Sequence, residues 1–171
     1  LDTAFYAESL STVALVANKE YAGIYWTITL PDGNQNILAN IERLTFTDSN
    51  VALDLEGHAG SVAKILGAFL GSESIKRKDL VGIGLEFLDA GGTYDELMEL
   101  AISTVFGETP SSQIVVSTFY KNLTGDEVPL DVLANYARLL DDGDMSVLSL
   151  SLQVADNDIN LSNIDLIGIS T

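Results

Sequence analysis

The 171-residue chain has no cysteine and a single histidine, His58. The lack of cysteine excludes thiol nucleophiles, disulfide bonds and thiolate metal sites. With one imidazole, a zinc or redox-metal site would have to consist mostly of carboxylates, which is unusual. As a general base, His58 would need a nucleophile, and Ser61 lacks the Gly-x-Ser-x-Gly surroundings of a nucleophile elbow. We therefore interpret His58 as a hinge residue that bonds to backbone or solvent, and we predict no catalytic residues and no enzymatic activity.

Basic side chains are also scarce, with eight Lys and Arg against 25 Asp and Glu and a net charge of −17. Affinity for nucleic acid depends on basic side chains that displace counterions, and anionic headgroups are repelled by the same negative field. We therefore expect no nucleic-acid partner, and cations are favoured instead. The alternative is that the acidic surface only keeps a secreted or salt-tolerant protein soluble.

Long apolar runs and phosphate-binding loops are missing as well. No apolar run approaches the roughly 18 residues of a membrane span, so we expect no membrane insertion. Gly82 and Gly84 lack the further glycine of a nucleotide-binding fingerprint, and we expect them to allow close helix packing. The chain starts at Leu1 in a strand-like run without an initiator methionine, which leads us to expect a piece of a longer protein.

The first 57 residues have the texture of β-structure. Ile24, Trp26, Ile28 and Leu30 alternate with polar or smaller residues, as in a half-buried strand, and residues 31–34 (PDGN) form a turn signal. Further strands are predicted at residues 4–7, 12–17, 43–47 and 51–55. We therefore predict an antiparallel β unit over residues 1–57.

Residues 58–171 have helical texture. Apolar side chains from Val62 to Phe69 follow the i, i+3, i+4, i+7 spacing of one helix face. Thr93 and Glu96 have the spacing of a capping box, and Gly107 is suited to end the helix that follows. We therefore predict a helical domain over residues 58–171.

This helical part contains an internal repeat. A helix, a polar loop, a second helix, a glycine and a third helix recur over about residues 61–107 and 112–157, with Gly91 and Gly143 at matching places. Residues 147–154 fit both a strand and a helix, and the repeat assigns them to a helix. The predicted class is α+β, with an antiparallel β unit packed against a helical bundle of two degenerate helix–loop–helix repeats.

The aromatic residues predict core packing and no row for stacking ligands. Trp26 and Tyr25 point to opposite faces of one strand. The aromatic residues on helical apolar stripes, which we interpret as core, are Phe69, Phe87, Phe119 and Tyr136.

Two acidic segments could hold a cation. Residues 156–160 (DNDIN) place oxygen side chains at positions 1, 3 and 5 of a calcium loop, but Leu161 and Ile167 occupy the places of its Gly and Glu. Residues 141–144 (DDGD) cluster three aspartates around a glycine, which we interpret as helix capping and a solvated turn. We therefore assign no metal ligands and no cofactor, and keep calcium as an alternative.

Residues 40–48 (NIERLTFTD) followed by residues 51–54 (VALD) closely resemble a motif of bacterial hemolysin-type calcium-binding (RTX) proteins. In those proteins the motif closes a small β unit that begins with a phrase like residues 2–6 (DTAFY). The two helical repeats look like a family of unknown function that usually follows this unit. Residues 160–169 are similar to the segment that ends many such proteins, so the resemblance spans almost the whole chain.

The resemblance implies extracellular or cell-surface bacterial proteins that a type I system exports from a C-terminal signal, often with calcium-binding repeats upstream. It implies no catalytic activity. The chain departs from the family in its two polar loops, at residues 71–75 and 124–127. The usual Trp is replaced by Phe87 in the first repeat and by Tyr136 or one of its neighbours in the second.

We therefore predict a non-catalytic C-terminal module of a large secreted or cell-surface bacterial protein, which supports export, folding or surface assembly. Its expected partner is the rest of the parent chain. The alternative is a domain that binds calcium or a cell-surface glycan through acidic loops. A third hypothesis, a hydrolase with an Asp/Glu pair, needs two carboxylates that converge in a pocket.

Overall fold

The computed structural model describes residues 1–20, 23–164 and 169–170. Small sheets form the N-terminal part and helices the C-terminal part, so the predicted α+β class is confirmed. The chain forms two compact units, one from Leu1–Gly60 with the C-terminal strand, the other from Ser61–Asp165. The sequence had placed this boundary between residues 57 and 58.

The first unit consists of two sheets of short strands. The strands are β1 (Thr3–Phe5), β2 (Ala14–Glu20), β3 (Gly23–Thr29), β4 (Gln35–Leu38), β5 (Arg43–Thr45), β6 (Asn50–Ala52) and β7 (Ile169–Ser170). One sheet has the order β2–β3–β4 and the other β1–β5–β6–β7.

Two features of these sheets differ from the sequence prediction. β1 runs parallel to β5, so the unit is mixed and not purely antiparallel. The intervening residues include all of β2–β4 and are long enough for the crossover that a parallel pair needs. In addition, Ile169 and Ser170 pair with Ala52 and Val51 of β6, although the predicted helical domain extended to residue 171.

The core of the first unit comes from alternate residues of both sheets. Trp26, Ile28 and Leu38 are buried on one face of β2–β4, and Leu44 and Val51 contribute from the second sheet. The alternation predicted for β3 therefore places its apolar face as expected. β4 was not predicted, because only two of its four residues are apolar.

The second unit contains most of the helices. They are α1 (His58–Leu70), which begins in the first unit, α2 (Lys78–Asp89), α3 (Tyr94–Phe106), α4 (Ser112–Thr124), α5 (Leu130–Asp141), α6 (Val147–Ala155) and α7 (Asp158–Ile164). Short 3₁₀ helices lie at Leu10–Thr12 and Ser72–Lys76. Among the residues described, none of the helices combines the length and apolar character that crossing a membrane requires.

The helices follow the order that the repeat predicts, with α1–α3 matched by α4–α6. Gly71 and Gly125 end the first helix of each repeat with φ of +83° and +80°, and Gly91 and Gly143 precede the third helix with φ of +99° and +76°. A side chain is disfavoured at such angles, which explains why glycine recurs at these places. Residues 147–154 are helical, as predicted.

Aromatic rings connect the two repeats. Phe69 of α1 lies 5.0 Å from Phe119 of α4, and Phe106 of α3 lies 5.6 and 5.4 Å from these two ring centres. Phe69 and Phe119 are buried as predicted, whereas Phe87 and Tyr136 are only half-buried. The ring contacts are tilted or edge-to-face, which aromatic pairs favour.

Candidate functional site

The region around the single histidine is organised by Asp54. One carboxylate oxygen of Asp54 accepts a hydrogen bond from Arg43 Nη1 at 2.5 Å, and the other accepts the backbone N–H of His58 at 2.9 Å. The side chains of Arg43 and Asp54 are only 13% and 12% exposed. Because the first turn of a helix leaves its N–H groups unpaired, a carboxylate there stabilises the start of α1.

At the start of α1, the helix backbone lies close to the backbone of Leu55, and a glycine makes this possible. A Cβ atom on Gly60 would lie 1.8 Å from the carbonyl oxygen of Leu55, so no other residue fits there without a backbone shift. His58 is half-buried at the first position of α1, and Ser61 lies on the same helix. Asp54 therefore links Arg43 of β5 to the backbone of His58, the first residue of α1.

The aspartates around Gly143 make local bonds. Arg138 Nη1 lies 3.1 Å from Asp142 Oδ2 and 3.9 Å from Asp144 Oδ2. Asp141 Oδ1 accepts a hydrogen bond from the Ser112 hydroxyl at 2.5 Å, which links α5 to the start of α4. At this exposed turn, Asp142 and Asp144 thus share Arg138, and Asp141 bonds to Ser112 instead.

The segment that resembled the start of a calcium loop is divided in the same way. Asp156 Oδ1 pairs with Lys64 Nζ at 2.8 Å, and Asn157 Oδ1 accepts the backbone N–H of Ile159. Asn160 is 1% exposed, and its amide donates to the carbonyl oxygens of Lys64 and Ala155 at 3.0 and 2.8 Å. Ile167, at the twelfth loop position, lies outside the described residues.

Other asparagines repeat the role of Asn160. The Asn122 amide donates to the carbonyl oxygen of Ala68, and the Asn163 amide to that of Leu123, at 2.9 and 2.8 Å. Ala68 and Leu123 lie in the last turns of α1 and α4, where carbonyl groups have no partner within the helix. These side chains therefore close helix ends, a role that the sequence did not suggest.

A cavity of about 270 Å³ lies among α4, α5 and α6. Its wall is mostly apolar, with Phe119 and Leu150 among the lining residues. Four hydrogen-bonding side chains also line it: Tyr120, Tyr136, Gln153 and Asn157. An apolar cavity with a few polar groups is typical of small-molecule sites.

Another cavity, of about 200 Å³, lies in the first unit. Trp26 lines it together with Asn40 and three acidic residues, Glu42, Asp54 and Glu56. Trp26 is 3% exposed, and its indole N–H makes no hydrogen bond with the described residues. The sequence predicted only that Trp26 lies on the opposite face of its strand from Tyr25, and its position beside acidic side chains was missed.

Tyr94 has the most perturbed environment among the titratable side chains described. Burial, followed by the negative charges of Asp156 and Asp95, raises the pKa of Tyr94 well above its ordinary value. Its hydroxyl is buried without a hydrogen-bond partner among the described residues.

At the surface, the pKa values of Asp79 and Glu127 are lowered by hydrogen bonds from Arg77 and Lys121.

Across residues 1–20, 23–164 and 169–170, no three His, Asp or Glu side chains form a group that could hold a metal ion. Comparisons with protein-family models, curated proteins and solved structures found no match for this chain.

One sheet brings together the phrases on which the family resemblance rests. β1 lies within residues 2–6, β5 within residues 40–48, and β6 overlaps residues 51–54. β7 begins at Ile169, the last residue of the fourth phrase. These strands are neighbours in the order β1–β5–β6–β7, so segments that are far apart in the chain form one sheet.

Proposed function

We propose that the chain is a non-catalytic module that forms the C-terminal end of a large secreted or cell-surface bacterial protein and supports its export, folding or surface assembly. The observation that carries this proposal is the β1–β5–β6–β7 sheet, because it joins the phrases that resemble RTX proteins. In those proteins the phrases that correspond to residues 2–6, 40–48 and 51–54 also belong to one small β unit, and a segment like residues 160–169 ends many of them.

The use of polar side chains supports the same proposal. Asp54 bonds to Arg43 and to the start of α1, and Asn122 and Asn160 bond to carbonyl groups in helices. Side chains fixed in this way stabilise a scaffold, since each satisfies a backbone group that would otherwise lack a partner.

The proposal is tested by deletion of residues 1–171 from the parent chain in its host. We expect less parent protein in the medium or on the cell surface, with unchanged transcript levels. A deletion that leaves both the exported amount and the surface assembly unchanged would remove the basis for the proposal.

Calcium binding is the first alternative, and the negative charge of −17 favours it in general terms. A ligand that binds only the folded state raises its melting temperature by mass action. We therefore compare melting in millimolar CaCl2, in MgCl2 of equal ionic strength and in EDTA. A rise of several degrees that only calcium produces would support the alternative, and equal melting in all three solutions would refute it.

Glycan binding is the second alternative, and the cavity beside Trp26 is the observation that favours it. Sugar hydroxyls both donate and accept hydrogen bonds, and this cavity offers an indole N–H together with the carboxylates of Glu42, Asp54 and Glu56. Two of these carboxylates already have internal partners, since Glu42 Oε2 accepts the backbone N–H of Asp2 and Asp54 bonds to Arg43. Its volume of about 200 Å³ suits one sugar unit.

The glycan alternative has a direct probe, because Trp26 is the only tryptophan of the chain. Titration with glucose, galactose and N-acetylglucosamine should change its fluorescence in a saturable way, and Glu56→Gln should weaken the response. A Glu108→Gln variant, which changes an exposed carboxylate outside this cavity, is the matched control. Fluorescence that stays constant with all three sugars into the millimolar range would exclude the alternative.

A further inference from the structure

The two helical repeats can be compared position by position. α1 begins at His58 and α4 at Ser112, 54 positions later. α2 begins at Lys78 and α5 at Leu130, 52 positions later. Val62 of α1 therefore corresponds to Val116 of α4, and Gly84 of α2 corresponds to Tyr136 of α5.

These matched positions have opposite packing. In the first repeat, a Cβ atom on Gly84 would lie 2.8 and 2.9 Å from the two methyl carbons of Val62, so the backbone of α2 packs directly on that side chain. In the second repeat, Val116 and Tyr136 both line the cavity of about 270 Å³. Where the first repeat has Gly84 and direct helix contact, the second repeat thus has Tyr136 and an open cavity.

Three of the four hydrogen-bonding residues of the cavity are also specific to the second repeat. α3 and α6 begin at Tyr94 and Val147, 53 positions apart, so Gln153 corresponds to Leu100. Tyr120 corresponds to Leu66 by the offset of α1 and α4. Three places that are leucine or glycine in the first repeat therefore carry hydrogen-bonding groups where the cavity lies.

The tyrosine hydroxyl groups of this cavity are available to a ligand. Within the described part of the chain, the hydroxyls of Tyr120 and Tyr136 make no hydrogen bond, and both residues are half-buried. Gln153 bonds only weakly, to the Ser149 hydroxyl at 3.3 Å, and α4, α5 and α6 each contribute at least one of these groups. Polar groups that converge from several elements fix the orientation of one bound molecule.

We propose that this cavity binds a small aromatic molecule that is neutral or cationic and carries a hydroxyl or amino group. A dry cavity of roughly 150 Å³ holds benzene, so a larger cavity accommodates a bicyclic ring system. Phe119 and the two tyrosines provide aromatic surface, and the hydroxyl or amino group of the ligand would bond to Tyr136 or Gln153. The net charge of −17 disfavours an anionic ligand.

The probes are 2-naphthol, 2-naphthylmethylamine and the anionic 2-naphthalenesulfonate, followed by isotope-edited NMR of backbone amides. We expect 2-naphthol and the amine to bind with a Kd of about 1 mM or tighter and to shift amides of α4, α5 and α6. The sulfonate should bind at least tenfold more weakly. The proposal would be overturned if none of the three probes binds saturably, or if the probes that bind shift only the amide signals of α1–α3.

Two variants make the test specific to the cavity. Val132→Phe fills it and should weaken binding of 2-naphthol at least tenfold, whereas Leu80→Phe, at the matching position of the first repeat, should change binding less than twofold. Tyr136→Phe removes one hydroxyl and keeps the ring, so it tests the hydrogen bond even if Val132→Phe fails to fold. If the folded variants bind 2-naphthol with the same affinity as the unsubstituted protein, the site is not this cavity. If the protein binds peptides through their aromatic side chains but binds no free naphthol, the cavity is not a small-molecule site.

Discussion

Gly84 of α2 packs directly against Val62 of α1, with only 2.8 Å between a Cβ atom placed on the glycine and the nearest methyl carbon. Gly82, the other glycine of α2, has no atom within 4 Å of such a Cβ. Close helix packing was predicted for both glycines, and the structure confirms it only for Gly84. Two glycines two residues apart therefore have different physical roles.

This difference predicts opposite effects of the same substitution. Gly84→Ala should lower the free energy of unfolding by about 1–3 kcal/mol, because the added methyl group overpacks a buried contact. Gly82→Ala should raise it by up to about 1 kcal/mol, because alanine favours the helix and meets open space. Urea unfolding followed by circular dichroism measures both, and losses of equal size would contradict the packing described.

Helix capping gives a matched pair of serines. The Ser146 hydroxyl accepts the backbone N–H of Ser149 at 3.0 Å, whereas Ser111 occupies the same N-cap position of α4 without a side-chain bond. Ser146→Ala should therefore cost about 1 kcal/mol of stability, and Ser111→Ala close to none. The urea midpoints of the two variants measure these losses of stability. A larger loss of stability in Ser111→Ala than in Ser146→Ala would show that the caps are assigned wrongly.

The unpaired hydroxyl of Tyr94 makes a substitution to phenylalanine stabilising. Tyr94→Phe removes a buried polar atom without a described partner, so the free energy of unfolding should rise by about 1 kcal/mol near neutral pH. Tyr6→Phe is the control with the opposite sign, because the Tyr6 hydroxyl accepts a hydrogen bond from Asn36 at 3.4 Å.

The raised pKa of Tyr94 adds a dependence on pH. The folded protein holds the phenol proton more tightly than the unfolded chain, so this contribution to stability is complete below the ordinary tyrosine pKa of about 10. It is lost as the pH rises above that value. The decline of stability between about pH 9 and pH 11 should be shallower in Tyr94→Phe than in the unsubstituted protein, and parallel curves would disprove this.

Asn160 should tolerate no carboxylate. Asn160→Asp replaces a donor to two carbonyl oxygens by a buried acceptor, so we expect a loss of at least about 3 kcal/mol near neutral pH. The new carboxyl group has a raised pKa in the folded state, so part of the loss should disappear as the pH falls. Asn163→Asp, at an exposed bond to Leu123, is the control and should lose less.

Local chemistry explains which parts of the fold were predicted. The capping box of Thr93 and Glu96 is present with both of its bonds, and Gly107 ends its helix as predicted. β3 was predicted because its alternation reflects burial on one face. These features depend on residues that are close in sequence.

The missed features depend on residues far apart in the chain. The parallel pair β1–β5 joins Thr3 to Arg43, and β7 joins Ile169 to Ala52, so neither leaves a periodic signal. The cavity of the second repeat is lined by Tyr136 at the place of Gly84, a match that becomes informative only when the helix bounds of the two repeats are known. Likewise, Asn122 bonds to Ala68 across 54 positions.

The central claim, that the chain is the terminal module of an exported protein, is tested most directly by secretion of a fused passenger. Residues 1–171 are attached to the C-terminus of a passenger that a type I exporter does not otherwise transport, and the passenger is quantified in the medium. We expect secretion that requires both the exporter and the module, that is retained with Gly82→Ala and that is lost when residues 160–171 are removed. A passenger that stays in the cells with the intact module, or one secreted equally well without it, would contradict the claim.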